Sequence, residues 1–361
     1  MTPLFSVIVI NFNYARYLGA AIDSALGQSF AQDGEPAGAG AGAGVEVVVV
    51  DDCSTDGSRA LIESYGARIV ACLHTRNAGM SASANTGFAA SRGERVLFLD
   101  ADDYLLPGAL EAFAKALQPG VVQAQARLQL IDSDGRVEDI FPPPETPFDA
   151  GNVAPQLARR GRYQTTVTSG LAFDRAALEQ VMPIPETAFD RSADGYLATV
   201  VPLYGKVVSI ETPLGAYRRH AANHSGFSAN IATRARWRVD HDEQRYAALR
   251  EHGPQAGVTI AADPGLSDPA HLEERLASLA FDAPAHPYPG DSRAALGAHG
   301  VRATLSADQN LKRKAIYTLI FLGAGFAPAP VARRILAWKM ERASRPQFID
   351  QLSGWLRRRL K

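Results

Sequence analysis

Residues 5–10 read FSVIVI, 45–51 VEVVVVD, 68–74 RIVACLH and 95–100 RVLFLD. Each is a short, nearly continuous apolar run rich in β-branched residues. That pattern suits a strand covered on both faces better than one with a wet side. Between these runs the period changes. Within 15–30, Tyr17, Leu18, Ala21, Ile22, Ala25 and Leu26 recur at helical spacing, 56–66 predicts a short helix closed by Gly66, and 81–91 predicts another. Strands alternating with helices predict an α/β sheet, mostly parallel and flanked by helices. Right-handed crossovers then bring the C-terminal ends of the strands, and the loops after them, to one edge.

The pattern loosens further on. The stretch 33–44, DGEPAGAGAGAG, has nothing to pack and predicts a flexible loop, a tolerated insertion at the helix-to-strand end. Residues 121–132 predict a strand and 133–136 a turn, while the prolines of 141–152 exclude regular structure. Helices are expected over 174–181 and 192–205, and strands around a turn over 206–220. A charged helix over 232–253 and a linker over 255–269 follow. The expected division is 1–230 for the α/β domain and 231–361 for a mainly helical region.

Composition narrows the class. The 361 residues are 46% hydrophobic and 21% charged, enough for a buried core, and the net charge of −1 gives no sign of a nucleic-acid partner. Two cysteines, Cys53 and Cys72, make neither a disulfide framework nor a zinc site and fit a reducing cytoplasm. The first apolar run lacks a basic leader and is too short for a signal peptide, so a cytoplasmic location is expected.

The candidate chemistry is acidic. Asp51 and Asp52 close the second strand, Asp100, Asp102 and Asp103 close the fourth, and Asp194 lies in SADGY (192–196). In a doubly wound sheet the first two stations share a crevice. An aspartate after a strand is often only a turn or a helix cap, which would account for Ser54 and Asp56, but one cap does not explain three carboxylates. Crowded carboxylates repel one another unless a cation compensates, and hard oxygen ligands suit Mg2+ or Mn2+.

Four segments, SVIVINFNYARYLGAAIDSALGQS, EVVVVDDCSTDGS, RNAGMSASANTGFAASRGERVLFLDADDYLLPGAL and YRRHAANHS, occur in this order over roughly 4–228. Together they resemble the family 2 inverting glycosyltransferases of GT-A fold. The resemblance implies a nucleotide-sugar donor, a divalent metal held through the DxD motif, and single displacement at the anomeric carbon onto a glycan or lipid-linked hydroxyl. By position it implies that Val9, Ile10, Asn11 and Asn13 line the base and ribose. Asp51 and Asp52 match the acidic pair after the second strand, with Asp52 at the base edge. Arg76, Asn77 and Gly79 match the loop beside the nucleotide. Asp100 falls near the ribose with Ala101 next to it. Asp102 falls on the metal, with Asp100 and His220 as further candidate ligands. Arg218 and Arg219 face the diphosphate, and Ser169 and Gly170 fall near the donor sugar or acceptor. Asp194 is the general base, although the residue before it is Ala193 where the family usually has Glu.

Two other classes compete. A sugar-phosphate nucleotidyltransferase or a dehydrogenase wants a glycine-rich phosphate loop after the first strand, and NFNYARYL has no glycine. Ala193 leaves room for a non-catalytic nucleotide-sugar-binding module. The tail is separate. From 311 onward twelve Lys and Arg face only Glu341 and Asp350, with AIYTLIFLGAGFAPAPV (315–331) between the basic clusters. Such a region either lies on an anionic membrane surface or packs as a helical subdomain, on the first domain or on a second subunit as a homo-oligomer. The donor sugar and linkage are not legible, with a UDP-sugar as the first expectation.

Overall fold

The structure is a computed structural model that describes residues 3–28, 44–220, 230–307 and 310–341. Residues 33–43 of the glycine-alanine stretch, residues 221–229 and the tail beyond 341 lie outside the described residues. The chain divides into two compact units. One comprises 1–157, 162–224 and 247–259, and the other 158–161, 225–246 and 260–361. The position 230/231 falls inside the 225–246 stretch of the second unit, and 247–259 belongs to the first.

The first unit opens with β1 (Phe5–Asn11), α1 (Ala15–Leu26), β2 (Val45–Asp51), α2 (Ser58–Ser64), β3 (Val70–Leu73), α3 (Met80–Ala90) and β4 (Arg95–Asp100). These four strands pair in parallel in the order β3-β2-β1-β4. The apolar runs are continuous because both faces are covered. Val7 and Val9 pack with Leu18 and Ile22 on one side, while Ile8 and Ile10 pack with Ala84 and Phe98 on the other. β3 is the edge, and its Val70 and Leu73 remain exposed.

Beyond β4 the sheet is mixed. It continues through β5 (Tyr104–Leu105), α4 (Ala109–Ala116), β6 (Val121–Ile131), β7 (Val137–Phe141), α5 (Ala154–Arg160), β8 (Leu171–Asp174), α6 (Arg175–Leu178), α7 (Ala193–Val200) and β9 (Lys206–Arg218). The spatial order after β4 is β8-β6-β9-β5, with β8 antiparallel to both neighbours and β7 on β6. The expected turn inside 206–220 is absent. β9 is one strand parallel to β6, whose register jumps from Ala126↔Ile210 to Arg127↔Pro213. Glu211 and Thr212 form a bulge there, which accommodates the proline without breaking the strand. The helix expected over 174–181 shrinks to Arg175–Leu178 behind an Asp174 cap.

The second unit is helical, as its sequence texture implied. α8 (Ile231–His252) supplies its first part, followed by α9 (Pro269–Phe281), α10 (Arg293–Ser306), α11 (Leu311–Phe326) and α12 (Ala329–Met340). Its core is Leu272, Leu276, Leu296, Phe321 and Leu336. α10 and α11 cross so closely that a Cβ on Gly297 would lie 2.8 Å from the Gly325 Cα, so both positions require glycine. No helix among the described residues is long and apolar enough to cross a membrane.

Candidate active site

Parallel pairing sets the site. Asn11 is level with Asp51, and Ile10 with Asp100, so three polar strand ends arrive side by side. The first two loops then knit to one another. Asn11 Nδ2 donates to Asp51 Oδ1 at 2.8 Å and to Ser54 Oγ at 3.1 Å. Asp51 Oδ2 accepts from Ser54 N and Arg59 Nε. Asn13 N donates to Ser54 Oγ, and Asn13 Oδ1 accepts from Thr55 N. Asn13 and Cys53 both take left-handed conformations, φ 61° and 63°, which these crossed bonds hold in place. Asp56 accepts from Ala15 N and Ser58 N, joining the starts of α1 and α2. Asp51 is fully buried, so this group forms a rigid floor. Val9 is enclosed in one core cluster and Ile10 nearly enclosed in the other, so neither side chain faces the sheet end.

Asp52 shapes the next loop. Its Oδ1 accepts from Ala78 N, its Oδ2 accepts from Gly79 N, and His74 Nδ1 lies 2.8 Å from Oδ1. Arg76 and Asn77 stand exposed at the tip of this loop. Gly79 has φ 92°, and a Cβ there would lie 2.9 Å from Asp190 O. His74, whose Nε2 is 2.9 Å from Thr86 Oγ1, escaped the sequence reading. Its only signal is a lone histidine directly after a strand.

The three carboxylates after β4 divide in role. Asp103 is buried, with Oδ1 accepting from Arg218 N at 2.8 Å and Oδ2 accepting from Ser169 Oγ at 2.6 Å. It fastens β9 and the turn at 168–170 to the β4 end. Ala101 is buried and donates its N–H to Ile10 O. Asp102 Oδ2 lies 3.0 Å from His220 Nε2, and Asp100 accepts a hydrogen bond from the Thr168 side chain. Arg218 is buried, its guanidinium 4.5 Å over the Tyr17 ring and hydrogen bonded to the main-chain carbonyls of Asp102, Asp132 and Ser133. Arg219 is exposed and paired with Glu138 at 2.6 Å. His220 stacks on Tyr17 at 5.3 Å and meets the edge of Tyr14 at 5.5 Å. Tyr17 lies in α1, where spacing alone marks it only as an amphipathic position, and Tyr14 is the residue just before that helix.

Asp194 enters from α7. Ser192 caps that helix, and Asp194 Oδ1 accepts from Gly195 N and Ser192 Oγ. Ala193 is buried in the core, whereas Asp194 is partly exposed. Asp194 stands close enough for its charge to act on Asp100. Burial first, then the charges of Asp102 and Asp194, push the Asp100 carboxyl well above the usual range. Burial, then Asp102 and Asp100, do the same to Asp103. Burial also raises Asp102, against the lowering by its His220 bond and the nearby Arg218 charge. Among the described residues no group of three or more His, Cys, Asp or Glu is arranged to hold a metal alone. Asp102 and His220 present one carboxylate and one imidazole, a donor pair whose chemistry suits a divalent cation, and repulsion among these carboxylates is what a cation relieves.

The sequence matches the family model described as glycosyl transferase family 2 over residues 6–181. It is 35% identical over 234 residues to an uncharacterized glycosyltransferase of Nostoc sp., covering 63% of this chain and 68% of that protein. It is 36% identical over 104 residues to the poly(ribitol-phosphate) beta-N-acetylglucosaminyltransferase TarS of Staphylococcus aureus, covering 28% of this chain and 16% of TarS. The crystal structure of S. aureus TarS 1–349 in complex with UDP-GlcNAc aligns with a TM-score of 0.48 at 15% identity, over 93% of this chain and 91% of that one.

Proposed function

Because the chain belongs to glycosyl transferase family 2 and is a glycosyltransferase, we propose that it moves a sugar from a nucleotide-diphospho-sugar to a glycan or lipid-linked hydroxyl with inversion. The observation that supports this reading is that Asp100, at the C-terminal end of β4 and level with Ile10 of β1, lies near enough to Asp102 and to Asp194 of α7 to feel both charges. The donor's nucleoside would lie along the Asn11–Asp51–Asp100 edge, bounded by the Arg76–Gly79 loop that Asp52 holds. Asp102 and His220 would hold Mg2+ or Mn2+, which when bound neutralises charge on the diphosphate. Arg218 adds a fixed positive charge next to Asp102, oriented by three carbonyls and Tyr17. Asp194 would take the proton of the attacking hydroxyl, a contribution of roughly 10²–10⁴-fold. Its hydrogen bonds at the start of α7 fix its position. Direct attack needs no enzyme nucleophile.

With a UDP-sugar as the first donor to test, N-acetylglucosamine and a polymeric acceptor are favoured by the similarity over 104 residues to TarS, whose name specifies N-acetylglucosamine transfer to poly(ribitol-phosphate). Ala193 is buried and Asp194 is partly exposed, so Asp194 is the carboxylate that the start of α7 presents. The test is a thermal-shift screen of nucleotide sugars with and without Mn2+, followed by turnover of whichever donor stabilises the fold. Asp194→Asn should keep the donor-induced shift and lose turnover by at least ~10²-fold. Unchanged turnover in that variant would remove Asp194 as the base, and donor binding indifferent to chelation would remove the metal.

A further inference from the structure

Helix α11 is apolar on the side that meets its own unit and apolar again on the side that does not. Phe321 and Ala324 are buried in the core of the second unit. With 3.6 residues per turn, Leu319 and Phe326 share the opposite face, flanked by Ile316 and Leu322. Leu319 is 69% exposed, Phe326 57%, and Ile316 and Leu322 45% each. The outward stripe of a packed helix ordinarily carries charged and polar residues. A contiguous apolar stripe there marks an interaction surface.

The charges on the same helix point to the partner. Its first turn carries Lys312, Arg313 and Lys314 and no acidic residue. Cations at a helix N-terminus oppose the macrodipole of α11, although Lys314 also donates to Leu305 O at 2.9 Å and ties the helix start to α10. Arg333 and Arg334 are exposed on α12. A second copy docking through this face in parallel would bring like charges together, and an antiparallel copy would offer these cations no carboxylate, since α11 carries none. The chain's own segment 342–361 contains Arg357, Arg358, Arg359 and Lys361, so charge does not draw it there either. An anionic lipid surface complements both the apolar stripe and the cations. The helix has 16 residues, a length of about 24 Å, which is shorter than the hydrocarbon layer.

We propose that α11 lies in the plane of an anionic membrane interface, its Ile316–Phe326 face inserted among the acyl chains and Lys312–Lys314 among the headgroups. This inference stands apart from the transferase reading and uses none of its residues. It is tested with full-length protein and vesicles of phosphatidylcholine, alone or mixed with phosphatidylglycerol, by cosedimentation. The protein should pellet with the mixed vesicles and not with the neutral ones, and salt should release it. Lys312→Gln with Arg313→Gln and Lys314→Gln should lower partitioning on the order of 100-fold. Leu319→Glu with Phe326→Glu should lower it by at least ~10-fold. Lys312, Arg313, Leu319 and Phe326 are exposed, and Lys314 gives up one bond to Leu305 O, so the melting temperature should change little. If the Glu pair shifts it, Leu319→Gln with Phe326→Gln replaces that pair. Absent binding, binding that ignores lipid charge or either set of substitutions, or a dimer that the Leu319 and Phe326 variants dissociate would each overturn the proposal.

Discussion

His220 Nε2 stands 3.0 Å from Asp102 Oδ2, joining the residue two beyond the end of β9 to the loop after β4. The imidazole is held from the other side by Tyr17, stacked at 5.3 Å, and Tyr17 is in turn covered by the Arg218 guanidinium. An imidazole fixed this way can coordinate a cation without first giving up much rotamer freedom. We therefore expect Asp102→Asn to reduce kcat/KM by at least ~10²-fold. His220→Ala should raise the Mn2+ concentration for half-maximal activity roughly 10-fold, the scale on which ligand-shell changes weaken a metal site. A Mn2+ titration of both variants checks this, and curves that overlay the wild type would show that the pair holds no metal.

The carboxylate cluster makes stability depend on pH in an unusual direction. A carboxyl whose folded-state pKa is raised binds more protons in the native state than in the unfolded one. Its stabilising contribution is fully present below the unfolded value of about 4 and is lost as pH rises through the raised value. Asp100 and Asp103 are both raised, by burial first and by neighbouring carboxylates second. The metal-free protein should therefore lose more stability than its Asp100→Asn variant as pH climbs from ~5 to ~7. Mn2+ should restore more stability at the upper end than at the lower. Parallel melting curves of wild type and variant across this range would show the cluster to be electrostatically silent.

Much of this was written in the sequence as pattern. The runs FSVIVI, VEVVVVD and RVLFLD read as doubly covered strands and are so, because burial on both faces leaves no alternation to misread. The three-carboxylate station at 100–103 was legible because one cap cannot use three acids. What the sequence hid was how those groups are shared. Asp103 looks like Asp102 in one dimension, yet it is fully engaged by Arg218 N and Ser169 Oγ from two distant segments. Asn11, Asn13 and Asp51 read as ligand contacts and Ser54 as a cap, yet Asn11 bonds Asp51 and Ser54, and Asn13 bonds Ser54, across 40 or more residues. His74 and Tyr17 carried no motif, since their roles arise only when β3 reaches Asp52 and when β9 returns to α1.

Asp103 should accordingly behave as a structural residue. Asp103→Ala leaves the Arg218 N–H and the Ser169 hydroxyl without an acceptor in a buried place. The expected cost is about 2–3 kcal/mol, the scale of an unsatisfied buried donor beside a lost charged hydrogen bond. Urea denaturation should show this loss, whereas Asp102→Asn should leave the unfolding midpoint nearly unchanged. Equal midpoints for the two variants would mean that the division of roles drawn here is mistaken.

Gly79→Ala tests the nucleotide-side loop. The position has φ 92° and faces Asp190 O at 2.9 Å, so a methyl group there meets both backbone strain and a main-chain atom. The strain alone is about 1–2 kcal/mol. Because Asp52 accepts the N–H of this same residue, the shift should propagate to Arg76 and Asn77. Donor affinity should fall more than the metal requirement changes, and calorimetric titration with the nucleotide separates the two.

Arg127 is the last case, a charge almost wholly buried in the first unit. Its Nε donates to Glu211 at 2.7 Å, its NH1 group to the carbonyls of Pro142 and Pro143, and its NH2 group to that of Thr146, with the guanidinium 4.8 Å over Phe148. The segment it gathers, PPPET, has three prolines and so few amide donors that its carbonyls cannot pair within regular structure. One guanidinium reaches four of them at once, that of Pro144 at 3.5 Å included, which explains why a cation is tolerated at this depth. Arg127→Met keeps the volume and removes every one of these bonds. About 3 kcal/mol should be lost, with the exposed Glu211 contributing little because water replaces its partner. The 142–148 segment should then become the first site of limited proteolysis. Phe141 packs against Tyr217 at 5.4 Å, and burial, then the charges of Asp103 and Asp100, raise the Tyr217 hydroxyl pKa, so a loosened segment lies next to the acidic cluster. Acceptor KM should therefore rise while donor affinity holds, and a variant with wild-type proteolysis and kinetics would show that the segment is held by something other than this arginine.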